Sequence, residues 1–179
     1  MSNAIVRPAI VEDAEGIAYV HVTAWQETYR GLMPDDVLDT LSVERRAEQW
    51  KNTLEDPNNV YHLVVVAEVD GKIIGFANYG RERENDPEHE GELYAIYILK
   101  EFQQQGVGRA LMKHSASGLR AMNISSLLVW VLSDNPYRKF YGRLGGAYVR
   151  EKSIQIGDQT LREKAYGWRD TRLLMEMNS

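Results

Sequence analysis

Two glycines separated by one residue stand where an apolar segment gives way to a helical pattern, in the stretch 103–109. Gly106 and Gly108 would let the backbone approach an anion closely, because glycine has no side chain to hinder it. The first turn of the following helix leaves several N–H groups without intrahelical partners, and the helix dipole adds partial positive charge there. This arrangement suits a pyrophosphate, with Arg109 adding charge at the rim. A simple turn with a glycine cap is the competing interpretation.

The residues around these glycines discriminate between nucleotide ligands. A P-loop requires Gly-Lys followed by Ser or Thr, whereas Gly108 is followed by Arg109 and Ala110. A dinucleotide-binding fold requires a third glycine and an acidic residue on the next strand, and neither is present. The loop therefore matches neither of these two nucleotide-binding motifs.

Several ordered segments carry a resemblance to one protein family. The spacing Gln103-x-x-Gly106-x-Gly108, after an apolar strand and before an amphipathic helix, resembles the coenzyme A pyrophosphate loop of the GNAT superfamily of N-acetyltransferases. The segment 135–141 (NPYRKFY), followed by 144–146 (LGG), resembles the second cofactor-side element of that superfamily. The stretches 24–31 (AWQETYRG) and 166–168 (YGW) are similar to one common bacterial subgroup. One departure is Tyr137, which stands where related sequences usually carry a small residue.

The resemblance implies that the chain uses acetyl-CoA as co-substrate, bound in a gap beside the central strand. Backbone groups of Ile96 and Ile98 are expected to pair with the pantetheine arm and to polarise the thioester carbonyl, since a preset donor there stabilises the oxyanion of acyl transfer. Asn135 is expected to contact the pantetheine, with a role as plain helix cap as the alternative. The other residues expected at the cofactor are Tyr97, Gln103, Gln104, Gln105, Gly106, Val107, Gly108, Arg109 and Tyr137.

Two side chains are candidates for proton transfer. The resemblance places the Tyr141 hydroxyl beside the coenzyme A sulfur, where it would protonate the departing thiolate; a packing tyrosine is the alternative. A lysine-type amine has a pKa of about 10.4, so a base is helpful for direct attack at neutral pH. Glu92, at the start of the central strand, is the candidate base, acting through water. A solvated glutamate at a strand end is the competing interpretation.

The acceptor end of the site is less well defined by the sequence. Trp25 and Tyr29 share a face of the first helix, and the resemblance suggests that they line the acceptor pocket, although a core role is equally consistent. The polar loop 81–91 carries five acidic residues, which would attract a cationic amine unless they are simply solvated. The expected acceptor is a primary amine of a small molecule or peptide, attacked in a ternary complex.

The hydrophobic periodicity predicts the elements that position these residues. In order they are a strand, helices, three strands, a helix, a strand, a helix and two strands, which indicates a mixed α/β or α+β sheet with helices on both faces. The strand 92–99 is apolar on both faces and should be central, with Leu93, Ala95 and Tyr97 sharing one face. The resemblance adds a mostly antiparallel sheet of about seven strands, splayed in the middle. A single domain over residues 1–179 is expected.

Composition excludes several other classes of function. The net charge is -5, so nucleic-acid binding has no general electrostatic support. The four histidines lack metal-site spacing and there are no cysteines, which argues against a metal site and fits a cytoplasmic setting. No apolar run approaches the roughly 20 residues that span a bilayer, and no secretory signal is recognisable. Homodimers are common in the family. The rival interpretations are an acyl-CoA sensor that has lost turnover and an interaction domain without cofactor.

Overall fold

The computed structural model describes residues 3–177 of the chain. These residues contain one sheet of seven strands. The strands are β1 (Ile5–Pro8), β2 (Leu63–Val69), β3 (Lys72–Arg81), β4 (Gly91–Ile98), β5 (Leu127–Leu132), β6 (Ala147–Ile156) and β7 (Gln159–Trp168). They lie side by side in the order β1-β2-β3-β4-β5-β7-β6. Every neighbouring pair is antiparallel except β4 and β5, which run parallel. The predicted mixed, mostly antiparallel sheet with β4 at its centre is confirmed.

Helices cover both faces of the sheet, as predicted. They are α1 (Ala14–Tyr29), α2 (Asp35–Asp39), α3 (Val43–Glu55), α4 (Val107–Ala121), α5 (Lys139–Arg143) and α6 (Arg172–Glu176). The side covered by α1, α2 and α3 is called the α1 face, and the side covered by α4, α5 and α6 is called the α4 face. The apolar stripe of α4 (Val107, Leu111 and Leu119) is fully buried there, which accounts for the strength of its helical pattern.

A bulge in β4 changes which side chains share a face. Asn78 of β3 lies opposite Ala95, but the next residue, Tyr79, lies opposite Leu93, so Tyr94 is an extra residue on β4. Because such a bulge reverses the alternation of side chains, Leu93 packs on the α4 face, while Ala95 and Tyr97 pack on the α1 face. The predicted grouping of Leu93 with Ala95 and Tyr97 is therefore wrong.

The centre of the sheet is splayed, as the resemblance implies. β4 pairs with β5 only at Gly91, Glu92 and Leu93, whereas β5 continues to pair with β7 as far as Leu132. From Leu93 onward the two central strands therefore diverge. The resulting space is called the β4–β5 gap.

Two predicted element boundaries are wrong for local reasons. The helix expected to start at Asn135 starts at Lys139, because the Asn135 Oδ1 accepts a hydrogen bond from the Tyr137 N–H at 2.8 Å and holds the intervening residues in a turn. The strand expected from Val60 starts at Leu63. Its first residues are held out of the ladder by the Asn59 Oδ1, which accepts from the N–H groups of residues 61 and 62 at 3.0 Å and 2.8 Å.

Candidate active site

The glycine loop before α4 is held against the central strand. The Gln103 side chain donates through Nε2 to the Ile98 carbonyl oxygen at 3.0 Å, and the Gln105 side chain donates to the Glu101 carbonyl oxygen at 2.8 Å. Gly106 then adopts a left-handed φ of 86°, which glycine tolerates without strain, and α4 begins at the next residue. The loop thus presents the first turn of α4 at the end of the β4–β5 gap.

Gly108 allows the start of α4 to pack close to the gap. A Cβ at this position would lie 3.0 Å from the Phe140 Cζ and 3.3 Å from the Ile98 Cδ1, closer than nearly all real contacts. The second glycine therefore serves packing between α4, α5 and β4. A ligand at this helix N-terminus would meet backbone N–H groups with little side-chain cover.

The unpaired edge of β4 turns two residues toward the gap. The Leu99 N–H donates to the Ile74 carbonyl oxygen at 2.9 Å, so the backbone groups of alternate residues, Leu99 and Tyr97, face β3. The backbone groups of Ile96 and Ile98 consequently face the gap. This is where the sequence placed the contacts to the pantetheine arm.

Three tyrosines and one asparagine meet at the gap. The Asn135 Nδ2 donates to the Tyr29 Oη at 3.4 Å, and Tyr29 and Tyr97 also share a hydrogen bond. Tyr141 is buried beside them, and burial, followed by the nearby Tyr29, raises its pKa, so this hydroxyl keeps its proton at neutral pH. Asn135 forms a turn and lies at the gap, but Arg138 precedes α5, so the predicted role of Asn135 as helix cap is wrong and its contact with the pantetheine stays a prediction. Tyr137, by contrast, is 43% exposed.

Glu92 is buried rather than solvated. Only 4% of the residue is exposed, and its carboxylate accepts from the Arg83 side chain through Nη2 at 2.9 Å and Nε at 3.1 Å, and from the Arg83 N–H at 3.2 Å. The guanidinium also lies 4.2 Å above the centre of the Tyr94 ring. Both carboxylate oxygens are thus fixed in orientation, and a water or an amine would have to approach their remaining lone pairs.

Ion pairs hold the acidic loop 81–91 against β6 and the end of β7. Glu84 pairs with Lys152 at 2.6 Å, and Glu88 pairs with Arg169 at 2.6 Å. The side chain of Asp86 is buried and pairs with Arg150 and His89. Burial alone would raise the pKa of Asp86, but these hydrogen bonds outweigh it and lower the pKa to about 2. Because much of the acidic charge is balanced by these cations, the loop has little spare charge to attract a cationic amine.

Trp25 and Tyr29 pack in the core, which is one of the two roles that the sequence left open, and their role in an acceptor pocket stays a prediction. Their rings are in edge-to-face contact at 5.3 Å, and both belong to a small apolar cluster with Leu132. The Tyr29 hydroxyl at the same time reaches Asn135 at the gap. These aromatic residues therefore form the wall between the apolar core and the α1-face opening of the gap.

Three residues at this opening were missed by the sequence analysis: Arg83, Trp130 and Glu163. Trp130 projects to the α1 face, since its neighbours Val129 and Val131 pack on the α4 face. Glu163 shares the α1 face with its β7 neighbours Leu161 and Ala165 by alternation. A single charge within an apolar strand face was the available signal for Glu163. Arg83 carried no signal, because it lies in a loop whose contacts depend on the fold.

Within residues 3–177 no group of three or more His, Cys, Asp or Glu side chains is arranged to hold a metal ion. None of the described helices is both long enough and apolar enough to cross a membrane.

The sequence is similar to known acetyltransferases over nearly its whole length. Residues 22–146 match the family model described as the acetyltransferase (GNAT) family. The chain is 37% identical over 169 residues to the uncharacterized N-acetyltransferase YuaI of Bacillus subtilis (strain 168), which covers 94% of this chain and 95% of that protein.

Solved structures with the same fold include acetyltransferases. One is a PaiA N-acetyltransferase from Thermoplasma acidophilum in complex with coenzyme A, with a TM-score of 0.69 and 19% identity over 92% of this chain and 98% of that one. Another is a ribosomal-protein-alanine N-acetyltransferase from Brucella melitensis, with a TM-score of 0.70 and 21% identity over 92% and 98%. At these identities the likeness establishes the fold.

Proposed function

The chain belongs to the GNAT family of acetyltransferases, and we propose that it transfers the acetyl group of acetyl-CoA to a primary amine of a small molecule or peptide. The amine attacks directly in a ternary complex. The observation that carries this proposal is the β4–β5 gap, which has the glycine loop at one end and Asn135, Tyr29 and Tyr141 along its wall.

The residues around the gap fit coenzyme A. Ile96 and Ile98 offer backbone donors and acceptors on an edge that β5 leaves unpaired, which suits the amide groups of a pantetheine arm. The first turn of α4, reached past Gly106 and Gly108, suits the pyrophosphate. When bound, the co-substrate supplies the acetyl thioester. On this unpaired edge, the Ile96 N–H would donate to its carbonyl oxygen and so stabilise negative charge that develops there.

Glu92 is the proposed base of the reaction. It lies in the short paired segment of β4, next to the point where β4 and β5 diverge, and on the α1 face, the same face as Trp25 and Tyr29. Arg83 keeps its carboxylate oriented, and a water bound to a remaining lone pair would accept the proton of the amine. The neutral amine then attacks from the α1-face opening.

Tyr141 is the proposed acid. It reaches the gap from the opposite side, on α5, and it is buried beside Tyr29. Because burial keeps the hydroxyl protonated, a proton is available when the thiolate leaves. Base and acid thus approach the gap from different strands and helices, so that the amine enters on one side and the thiolate departs on the other.

The test combines calorimetric titration of acetyl-CoA into the purified protein with a panel of amines read by release of free thiol. We expect binding and thiol release that depends on both protein and amine. Failure of acetyl-CoA to bind would contradict the assignment of the glycine loop and with it the whole proposal. The matched control without amine measures hydrolysis alone.

One observation favours a second candidate function, a non-catalytic sensor of acyl-CoA. Both oxygens of Glu92 are already bonded to Arg83, and a base held in this way would be available only in part. A sensor would bind acetyl-CoA in the calorimeter with no thiol release from any amine. Amine-dependent release would exclude it.

A further inference from the structure

Most charged side chains at the α1-face opening of the gap are paired. Arg83 is paired with Glu92, and Lys152 is paired with Glu84. Arg150, which lies over the Trp130 ring, is paired with Asp86. Glu163, by contrast, has no ion-pair or hydrogen-bond partner for its carboxylate among the residues that the structure describes.

Glu163 lies where a substrate group would pass. On β7 it stands opposite Leu132 of β5, which packs against Tyr29, so the carboxylate borders the aromatic wall of the opening. Its charge acts on the Tyr29 hydroxyl and helps to raise the pKa of that group, after the larger effect of burial. Burial likewise raises the pKa of Glu163, and the opposing effect of Lys152, which makes no direct ion pair with this carboxylate, is smaller.

The nearest cation on the sheet is already engaged elsewhere. Lys152 lies directly across from Glu163 on β6, but its Nζ is 2.6 Å from the Glu84 carboxylate and 4.1 Å from the centre of the Trp130 ring. Satisfying Glu163 from within the protein would break that pair. A half-buried carboxylate in this position is suited to a cation that comes from outside.

Trp130 adds a second unsatisfied group to the same opening. Its indole N–H is buried and has no hydrogen-bond partner within residues 3–177. Its ring lies on the α1 face beside β7, close to the position of Glu163 in the strand register. Lys152 and Arg150 already lie over this ring, at 4.1 Å and 5.2 Å from its centre, which shows that the aromatic surface of the opening accepts cationic nitrogen groups.

We propose that Glu163 selects acceptors that carry a second positive charge, by pairing with an ammonium or guanidinium group other than the amine that is acetylated. The inference rests on the proposed function and names its substrate class. The reacting amine itself must lose its charge before it attacks, and pairing with a carboxylate would favour its charged form. Glu163 is therefore suited to the non-reacting end of a diamine or of a basic peptide, while Glu92 serves the reacting end.

The experiment compares α,ω-diamines with monoamines of the same chain length. The wild-type protein should have at least a tenfold lower KM for the best diamine than for the matched monoamine. Glu163→Gln should raise the diamine KM at least tenfold, leave kcat unchanged and leave the monoamine unaffected. Glu151→Gln is the control, because it removes the same charge from the neighbouring strand β6, where Glu151 pairs with Arg162.

A binding measurement tests the role of Glu163 without depending on turnover. Diamine titrated into protein saturated with coenzyme A should bind to the wild type and to Glu151→Gln, and at least tenfold more weakly to Glu163→Gln. The inference is overturned if diamine and monoamine bind equally, or if Glu163→Gln affects both alike. In either case, acetyl-CoA binding and transfer to monoamines would leave the proposed function intact, whereas a failure of acetyl-CoA to bind would remove the function itself.

Discussion

The two faces of the sheet build their shares of the site in different ways. On the α4 face the glycine loop and the start of α4 come from one contiguous stretch, and they offer mainly backbone groups. On the α1 face the contacts are made by side chains that are far apart in the chain: Tyr29 reaches Asn135, and Glu84 reaches Lys152. A motif can therefore describe the first face, whereas the second depends on the whole fold.

The faces also differ in what they bury. The core on the α4 face is almost entirely apolar. On the α1 face, the pKa of His21 is lowered by burial, and the pKa of Asp86 is lowered by its hydrogen bonds. Buried ionisable groups make stability depend on pH, because the folded and unfolded chains then bind different numbers of protons. Acid should therefore affect the protein mainly through the α1 face.

The largest expected effect is the loss of folding stability in acid that is due to His21. Its ring stacks on Tyr97, and its Nδ1 accepts from the Trp50 Nε1 at 3.2 Å, which only the neutral ring can do. Burial, with a smaller contribution from Arg46, lowers its pKa from 6.5 to about 3. Because the folded value is depressed, the stabilisation is complete above pH 6.5 and is lost as the pH falls toward 3. Between pH 6.5 and pH 4 this amounts to about 3 kcal/mol, at about 1.4 kcal/mol per pH unit.

Urea unfolding at pH 7 and pH 4 measures this contribution. His21→Asn retains an acceptor near the Nδ1 position and should lose about 3 kcal/mol less than the wild type over that interval. His114→Asn, on the exposed surface of α4, is the control and should follow the wild type. Equal losses in all three proteins would show that the α1 face is not the more acid-sensitive one.

The next test concerns Glu92, on the side where we propose that the amine enters. If Glu92 is the base, Glu92→Gln should lower kcat about 100-fold without weakening acetyl-CoA binding. Glu88→Gln is the control, since its pair with Arg169 is exposed and contributes little. Arg83→Met distinguishes a role of Glu92 as base from a role as ion-pair partner of Arg83. If Arg83→Met lowers kcat as much as Glu92→Gln does, Glu92 serves only to hold Arg83.

The difference between the two faces also explains which parts of the site could be predicted from the sequence. The helix start at Gly106 and the strand that carries Ile96 could be predicted from the sequence, because they depend on local backbone, and the cofactor contacts expected of them remain predictions. The bulge at Tyr94 was not predicted, since a bulge is defined by the partner strand, β3. Arg83 was missed because its partner is set by how the loop folds back onto β4. The roles assigned to Glu92 and Tyr141 remain predictions.

Tyr141 tests the exit side of the gap. Tyr141→Phe should lower kcat at least about tenfold, roughly 1.4 kcal/mol of transition-state stabilisation, while the Kd of acetyl-CoA stays the same. The packing of the ring against Phe140 and Tyr166 is retained, so folding should be unaffected. Tyr148→Phe, on an exposed ring, is the control. An unchanged kcat with chemistry rate-limiting would leave Tyr141 as a packing residue.

The smallest expected effect tests the backbone character of the α4 face. Gly106 and Gly71 both have positive φ, 86° and 77°, and both have open space where a Cβ would lie. Alanine should therefore strain either site by about 1 kcal/mol. Only Gly106→Ala should weaken acetyl-CoA binding, about fivefold. The backbone of the loop would shift to relieve the strain, and this shift would change the direction of its N–H groups.

Calorimetry on Gly106→Ala and Gly71→Ala, with urea unfolding of each, completes this test. A similar loss of stability with a change of Kd in Gly106→Ala alone would show that the geometry of the loop, and not general strain, supports the cofactor. Equal Kd values in both variants would mean that the pyrophosphate is held by side chains. The α4 face would then resemble the α1 face, and the contrast between a backbone-built and a side-chain-built half of the site would fail.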